Sequence, residues 1–316
     1  MDDFRDRLHV LCVVFNPIRY RSRWRLYHEF AAHMAASGVV LYTAELTVGE
    51  RAFQVTEAGH PRHLQLWTQH MLWFKENLLN LLAQRLPPEA RYLAWIDADV
   101  HFVRPDWASE AVHALQVHPI LQPWSEALDL TAQHEPLMRH KSFAWSYHHL
   151  TPDPQADPYQ PPKPQPQWTP WHPGFAWCCT RDAWNACGGL LDAAILGAAD
   201  NHVAKSLIGD GQYSMHKGVT PGYRQMVLDW QQRAQALHRD LGYVEGLLTH
   251  AWHGRKIDRG YWDRWQILVR QQFDPRTDLA RDAQGLWQLV AGSARQRRLR
   301  DALRRYFKQR NEDFLE

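Results

Sequence analysis

The stretch YLAWIDADVHF, residues 92–102, decides the fold, because an apolar run leads directly into two carboxylates. Asp97 and Asp99 follow the run with only Ala98 between them. A short apolar run is typical of a strand buried on both faces, as in a parallel sheet covered by helices. Ligands of such sheets bind outside the carboxyl ends of the strands. We therefore expect both aspartates at a ligand-binding edge.

The sequence before this stretch predicts a βαβ opening. LHVLCVVF (residues 8–15) and VVLYTAEL (residues 39–46) are typical of buried strands, and the segment between them has apolar residues at helical spacing. A longer helix is predicted over residues 64–86, where it ends at two prolines. This helix would lead directly into the strand that carries the aspartates.

The sequence after the stretch continues the alternation. GFAWCC (residues 174–179) predicts a strand, and helices are expected to begin at Thr180 and at Asp200. The fold class that follows is α/β, with a Rossmann-like, mainly parallel central sheet flanked by helices.

Composition narrows the class of protein. The chain has 316 residues, 45% of them hydrophobic and 22% charged, which excludes a disordered protein. A net charge of +2 does not by itself indicate a nucleic-acid or membrane partner. No window approaches the roughly 18 apolar residues that a membrane span needs, and the four cysteines form no CxxC pair. We expect a cytoplasmic protein without a membrane span, and we expect most of the 16 tryptophans in cores or interfaces.

Two segments stand apart from the α/β pattern. Residues 152–173 hold nine of the 19 prolines and are interpreted as a loop near the site rather than as a domain boundary. Residues 294–310 carry eight basic residues and one acidic residue. That segment is either a solvated helix packed by its apolar stripe or a surface for a polyanion such as DNA. The predicted organisation is one domain over residues 1–290, followed by a basic C-terminal helix over residues 291–316.

The carboxylate pair suits a divalent cation that also binds phosphate, because a protein usually gives such an ion one or two carboxylates and the substrate completes the shell. The chain carries, from its start to its end, the motifs FNP, KENLLN, WIDADV (which contains the pair), HPGFAW, GGLLDAAILGAADNH and HAWHGRKIDRGYWDR. This order resembles a nucleotide-sugar-dependent glycosyltransferase of the GT-A type, similar to family 2. The resemblance spans roughly residues 8–290, and the basic tail lies outside it.

The resemblance implies a metal site. Asp99 would bind Mn²⁺ (or Mg²⁺), and Asp97 would contact the ribose of the donor or support the metal. A late histidine would complete the site, and His250 and His253 compete for this role. Three residues apart, they would face opposite sides of a regular strand. We favour His253, which precedes Gly254 where the chain leaves the strand.

The resemblance also implies contacts with a nucleotide-sugar donor, most simply a UDP-sugar. The candidates for a nucleoside pocket are Asn16 and Pro17, with Arg19 and Arg23 as phosphate contacts. Lys75 and Asn80 would reach the donor from a helix. The late cations that would hold the diphosphate are Lys256, Arg259 and Arg264.

An inverting transferase needs a general base for the acceptor hydroxyl. In inverting relatives this carboxylate lies at the start of a helix, often as Glu-Asp, and the matching pair here is Ala199 and Asp200. Asp200 is therefore the candidate for the catalytic base. Its structural alternative is the N-cap of a helix. A retaining enzyme would need no such base. The acceptor side is predicted at Trp171, His172, Gly174, Phe175, Trp177 and His202.

The function predicted from these residues is a metal-dependent, hexosyltransferase-like glycosyltransferase. Its acceptor would be a saccharide, a lipid-linked precursor, or a hydroxymethylated base in DNA, which must be exposed from the duplex. Two alternatives stay open. One is a non-catalytic nucleic-acid-binding protein on a transferase fold, and the other is a metal-dependent phosphohydrolase that uses water as acceptor.

Overall fold

The computed structural model describes residues 7–151, 168–261 and 263–314. Most of the proline-rich loop predicted for residues 152–173 therefore lies outside the described residues. The strands and helices follow one another as β1 (Leu8–Phe15), α1 (Arg21–Ala36), β2 (Val40–Val48), β3 (His63–Thr68), α2 (Lys75–Ala83), β4 (Tyr92–Ile96), β5 (Val100–Phe102), α3 (Trp107–Ala114), β6 (Ile120–Gln122), β7 (Glu126–Leu130), β8 (Pro136–Ser142), α4 (Phe143–His149), β9 (Thr169–His172), β10 (Ala176–Thr180), α5 (Arg181–Cys187), α6 (Ala199–Leu207), α7 (Pro221–Ala234), β11 (Leu241–Tyr243), β12 (Leu247–His250), α8 (Trp265–Arg270), α9 (Pro275–Asp278), β13 (Leu279–Arg281), β14 (Trp287–Leu289) and α10 (Ala294–Gln309).

A seven-stranded sheet forms the centre of the fold, in the order β11-β6-β10-β4-β1-β2-β3. The pairs within β4-β1-β2-β3 are parallel, as is β11 with β6, and only β10 runs antiparallel to its two neighbours. Helices cover both faces of this sheet. The α/β class with a mainly parallel sheet, predicted from the sequence, is confirmed.

The central strands are apolar because both of their faces are buried. In β1, Val10 and Cys12 pack into a cluster with α1 and α3, while Leu11 packs into a second cluster on the opposite face. That second cluster also takes apolar residues from α2, α5, α6, α7 and α10. The strand that precedes the aspartates is held in the same way, with Leu93 and Ala94 fully buried on its two faces.

A second sheet of five strands, ordered β5-β12-β7-β8-β9, lies where the first sheet ends. Strand β4 of the first sheet ends at Ile96, and β5 of the second begins at Val100. The three residues between them, which include Asp97 and Asp99, therefore join the two sheets. This junction decides where both carboxylates lie.

The long helix predicted over residues 64–86 is wrong in its first part. His63–Thr68 forms strand β3, paired in parallel with β2, and the helix begins only at Lys75. Alternate residues Leu66 and Thr68 are buried, while Trp67 is 47% exposed. A helical stripe that included Trp67 would have buried that ring, whereas a strand at the sheet edge leaves it outside.

The basic C-terminal helix α10 packs onto the domain through its apolar stripe. Leu299, Leu303, Tyr306 and Phe307 are buried in the larger apolar cluster. Ser293 and Gln296 form a capping box at its first turn. Helix α10 is therefore part of the core that supports the site.

The interior also takes up tryptophan and cysteine side chains. The largest fully buried side chains include five of the tryptophans, and all four cysteines are buried and free. Among the described helices, none combines the length and the apolar character that crossing a membrane requires.

We expect Leu303→Ala to lower the free energy of unfolding by about 2–5 kcal/mol, because the substitution leaves a cavity in the core. Urea denaturation followed by tryptophan fluorescence would measure this. Arg304→Ala, one residue along and exposed, is the matched control and should change stability by less than about 0.5 kcal/mol. Equal effects of the two substitutions would contradict the packing of α10 onto the core.

Candidate metal centre

Asp99, His250 and His253 form a cluster of buried side chains whose ligand atoms all lie within 4.8 Å of one another. Nε2 of His253 lies 3.1 Å from Oδ2 of Asp99. Nε2 of His250 lies 3.7 Å from Oδ1 of Asp99 and 3.1 Å from Nε2 of His253. The two imidazoles and the carboxylate thus surround one point, as the ligands of a single ion would.

The end of strand β12 explains why both histidines reach Asp99. His250 is the last residue of this strand and pairs with Val100, next to Asp99. The backbone N–H of Ala251 donates to the carbonyl of Asp99 at 2.8 Å. The chain then leaves the strand direction, so the regular-strand geometry that would have separated His250 from His253 does not apply.

Gly254 makes this turn possible. Its φ is +87°, and a Cβ there would lie 2.7 Å from the carbonyl oxygen of Asn311. Glycine is the residue that accepts both conditions. In the late His-Gly element, the glycine therefore allows the backbone turn that places His253.

The donor set fits a divalent transition metal. Oδ1 of Asp99 is buried without a hydrogen-bond partner, and buried polar atoms are rarely left so. Burial would raise the pKa of Asp99, but His250 and His253 outweigh it and hold this pKa well below its usual value. Imidazole suits transition metals, whereas Mg²⁺ prefers oxygen ligands. Two imidazoles therefore favour a transition-metal ion over Mg²⁺.

Two arginines are the counter-charges next to the cluster. Arg23 donates from Nη1 to Oδ2 of Asp99 at 2.9 Å and from Nη2 to Nδ1 of His253 at 2.9 Å. Nη2 of Arg259 lies 2.9 Å from Nε2 of His253. Burial, Arg23 and Arg259 hold the pKa of His253 well below its usual value, so its ring is neutral. A metal ion at this point would compete with both guanidinium groups.

Asp97 lies outside this cluster and forms an ion pair with Lys75 at the start of α2. Burial would lower the pKa of Lys75, but the charges of Asp97, Glu76 and Asp200 outweigh it and raise the pKa. Lys75 is therefore charged, and it lies within electrostatic range of Asp200 at the start of α6.

Asp200 lies in the first turn of α6, but the N-cap of this helix is Ala198. The Asp200 carboxylate accepts from the N–H of Asn201 at 2.8 Å. Its other oxygen lies 3.3 Å from the point where a Cβ on Gly174 would sit, and Cε1 of His172 lies 3.2 Å from the same point. Asp200 and His172 thus converge over Gly174, where a Cβ would press on both side chains.

A hollow open to solvent lies at the carboxyl ends of β1 and β2. It is lined by Asn16, Arg19, Trp24, Glu45, Arg51 and Gln54, among others. The Asn16 side chain closes the turn to Tyr20 through two backbone hydrogen bonds, and the carbonyl of Pro17 accepts from Arg51. Asn16, predicted for a nucleoside pocket, thus lines this hollow, and Pro17 is held beside it by Arg51.

The structure does not bring three of the predicted residues to the site. Asn80 hydrogen-bonds the backbone of Leu190. Trp177 is 2% exposed and stacks on Trp95 in the core. His202 is fully buried. Each of these side chains fills or ties the interior behind the site.

Four other predicted residues lie around the site and contact neighbouring side chains. Arg264 is buried and lines a small hollow next to Ala198 at the start of α6. Phe175 stacks on His172, and Trp171 packs edge-on against Phe143. Lys256, predicted to contact the diphosphate, forms an ion pair with Asp129 instead.

Sequence reasoning missed the acidic partners of the site. Asp129 lies on β7 beside His250, and Glu312 follows α10 and pairs with Arg23 and with Arg310. Neither residue belongs to a motif, so only the folded chain shows that they belong to the site.

Fold and site together define an α/β protein with a candidate divalent-metal centre at the edge of its central sheet. The sequence matches no protein-family model and no curated protein. Several solved structures are similar in fold. A mutant of the Drosophila β1,4-galactosyltransferase 7 with manganese, UDP-Gal and xylobiose has a TM-score of 0.42 and 10% identity, over 93% of this chain and 98% of that chain.

Two further structures cover similar shares. Mannosyl-3-phosphoglycerate synthase from Rubrobacter xylanophilus has a TM-score of 0.39 and 10% identity, over 91% of this chain and 85% of that chain. A glycosyltransferase involved in glycosylation of the major capsid of PBCV-1 has a TM-score of 0.31 and 13% identity, over 94% and 98%. These neighbours have the GT-A type of fold. With values this low, the likeness concerns the fold alone and carries no conclusion about ligand or substrate.

We expect His202 to make the protein less stable in mild acid. Burial, and next Arg264, lower the pKa of His202 to about 3, against about 6.5 in an unfolded chain. As the pH falls below 6.5 the unfolded state takes up a proton that the folded state does not bind. The free energy of unfolding should therefore fall with a slope that approaches about 1.4 kcal/mol per pH unit.

Urea denaturation at pH 7.0, 6.0 and 5.0 would measure this slope for the wild type and for His202→Gln, which cannot titrate. The variant is expected to be less stable at pH 7.0, because it loses contacts to Ser214 and Tyr223, and to lose less stability on acidification. His113→Gln, on an exposed face, is the control. Identical slopes for His202→Gln and wild type would contradict the prediction.

Proposed function

We propose that this chain is a metal-dependent glycosyltransferase of the hexosyltransferase type, which moves a sugar from a nucleoside diphosphate donor, a UDP-sugar, to an acceptor hydroxyl. One observation carries the proposal. Asp99, His250 and His253 converge where the central strand β4 ends, at the edge where α/β sheets bind ligands. Arginines adjoin the cluster, as a diphosphate leaving group would require.

The cofactor we propose is Mn²⁺, held by Asp99, His250 and His253. When bound, such an ion neutralises negative charge that develops on the diphosphate. Arg23 would then lose Asp99 as its partner and could turn its guanidinium to a phosphate oxygen. Arg259, whose Nη2 lies 2.9 Å from Nε2 of His253, could also turn its guanidinium to a phosphate oxygen. Asp97 would stay on the donor side of the site with Lys75.

The donor nucleoside would occupy the hollow at the ends of β1 and β2. Its lining offers polar groups from Asn16 and Arg51 and the indole of Trp24, and Arg19 lies over that indole at 5.5 Å. These residue types suit a planar base and a ribose. The hollow and the metal centre adjoin the same edge of the sheet, as the two ends of one nucleotide sugar would require.

Asp200 is the proposed general base. The acceptor oxygen would form a bond to the anomeric carbon while the bond from that carbon to the diphosphate oxygen breaks, and the acceptor proton would pass to Asp200. The gap over Gly174, between Asp200 and His172, is where we place the acceptor hydroxyl. This role applies to an inverting reaction.

The acceptor is a hydroxyl of a saccharide or of a hydroxymethylated base in DNA. Helix α10 buries its apolar stripe and still presents five exposed cations, which would suit the DNA backbone. These cations are Arg297, Arg298, Arg304, Arg305 and Lys308.

A panel of nucleotide sugars with Mn²⁺, assayed with and without saccharides and hydroxymethylated DNA, tests the proposal. Release of nucleoside diphosphate that depends on an acceptor supports a transferase. Release of sugar phosphate would instead indicate a phosphohydrolase. DNA binding without turnover would indicate a non-catalytic binding protein.

We expect Asp99→Ala to reduce Mn²⁺-dependent release of nucleoside diphosphate by at least about 100-fold, because the ion loses its only carboxylate ligand. Mn²⁺ affinity, measured by electron paramagnetic resonance of the free ion, should fall in parallel. Asp106→Ala, on the exposed Arg104 pair, is the control and should keep both values. Wild-type activity in Asp99→Ala would remove this residue from the metal site.

Asp200→Asn should slow transfer about 100- to 10,000-fold, which is the usual contribution of a general base. The affinity for donor, measured by calorimetry without acceptor, should stay within about threefold because the amide keeps the size of the carboxylate. Asp182→Asn, also in the first turn of a helix, is the matched control. Transfer at a near-normal rate by Asp200→Asn would exclude Asp200 as the base.

A further inference from the structure

Asp129 is a buried carboxylate directly behind the candidate metal centre. It is 2% exposed. Its Oδ1 lies 2.7 Å from Nδ1 of His250, and its Oδ2 lies 2.7 Å from Nε2 of His140. Lys256 forms an ion pair with the same Oδ2. One carboxylate thus meets three basic side chains in the interior of the second sheet.

Three neighbouring strands deliver these groups. In the parallel pair of β7 and β12, Asp129 lies opposite His250. On its other side β7 pairs with β8, which carries His140, and the register shifts between Asp129 and Leu130. The irregularity turns the strand locally. The pairings of β7 with β12 and with β8 fix the backbone of Asp129. Its position behind His250 is therefore set by the sheet.

The contact with Asp129 decides which nitrogen of His250 is available to a metal. A carboxylate that is ionised can only accept a hydrogen bond, so Nδ1 of His250 carries a proton. The ring then presents Nε2 to Asp99 and His253, which lie on the opposite side from Asp129. A histidine that ligates a metal commonly donates its other N–H to a carboxylate in this way, and the loss of that partner weakens metal binding.

The remaining contacts of Asp129 keep it ionised and in place. A buried carboxylate is costly unless it is paired and hydrogen-bonded. Lys256 supplies the opposite charge, and His140 satisfies the second oxygen. Lys256 therefore has a function that does not require contact with a diphosphate.

We propose that Asp129 is a positioning residue of the metal centre: it fixes the ring and the tautomer of His250 so that Nε2 faces the ion, and His140 and Lys256 hold Asp129 for this task. The proposal rests on the metal site of the proposed function. It adds a supporting layer on β7 and β8 that no motif of the sequence indicates.

The test is Mn²⁺ affinity in the absence of any donor, measured by calorimetry and by electron paramagnetic resonance of free Mn²⁺. We expect Asp129→Asn to bind Mn²⁺ about 10- to 100-fold more weakly than wild type. Asp129→Ala should bind more weakly still, because the amide oxygen of asparagine can accept from Nδ1 and a methyl group cannot. Lys256→Met should lower the affinity in the same direction.

Asp278→Asn is the matched control, because Asp278 is also fully buried and ion-paired, with Arg295 on α10. It should lose stability without losing Mn²⁺ affinity. Wild-type affinity in a folded Asp129→Asn would overturn the proposal. If wild type itself binds no Mn²⁺, the metal site of the proposed function fails, which is a different result.

A measurement on the wild type covers the case in which the Asp129 variants do not fold. Nitrogen-15 spectra of the histidine rings, recorded with Zn²⁺ as a diamagnetic ion, should show His250 with a proton on Nδ1 and the metal on Nε2. The reverse assignment would overturn the proposal, since Asp129 would then have no proton to accept.

Discussion

The buried carboxylate of Asp99 is the constraint on which the rest of the site depends. It lies in the three-residue junction between two sheets, 8% exposed, where an ionised group needs compensating charge. Arg23 supplies part of that charge from α1, and the Nε2 atoms of His253 and His250 lie 3.1 and 3.7 Å from the carboxylate oxygens. Each of these partners in turn needs one of its own. The site therefore extends outward as a series of paired charges.

The ion pairs that start at Asp99 continue to the residues that follow α10. Arg23 forms ion pairs with both Asp99 and Glu312, and Glu312 pairs with Arg310, which is also buried. Burial would raise the pKa of Glu312, but Arg23 and Arg310 lower it, so this carboxylate is ionised. Asp313 accepts from the first backbone N–H groups of α1, where a negative charge is favourable. The residues after α10 thus pair with Arg23 and with the start of α1, beside the candidate metal centre.

The sequence was sufficient for the features that local pattern determines, and insufficient for those that depend on distant pairing. Apolar runs gave β1 and β4, and the position of Asp99 after β4 followed from them. Strand β3 was mistaken for helix because Leu64 and Trp67 also fit helical spacing; its pairing with β2 decided the matter. The approach of His250 depends on where β12 ends, and Asp129 is 121 residues from it in the chain. No local pattern contains such a pairing.

Lys75 lies near two of the acidic residues to which the proposed function gives different tasks. Asp99 faces the histidines, whereas Asp200 faces Gly174 from the start of α6, and a proton transfer needs the second carboxylate free of the metal. Lys75 pairs with Asp97, and both Asp97 and Asp200 raise its pKa. The positive charge of Lys75 offsets part of the repulsion between Asp97 and Asp200. In the proposed site Asp99 would hold the cation, while Asp97 pairs with Lys75 and so holds a positive charge near the proposed base.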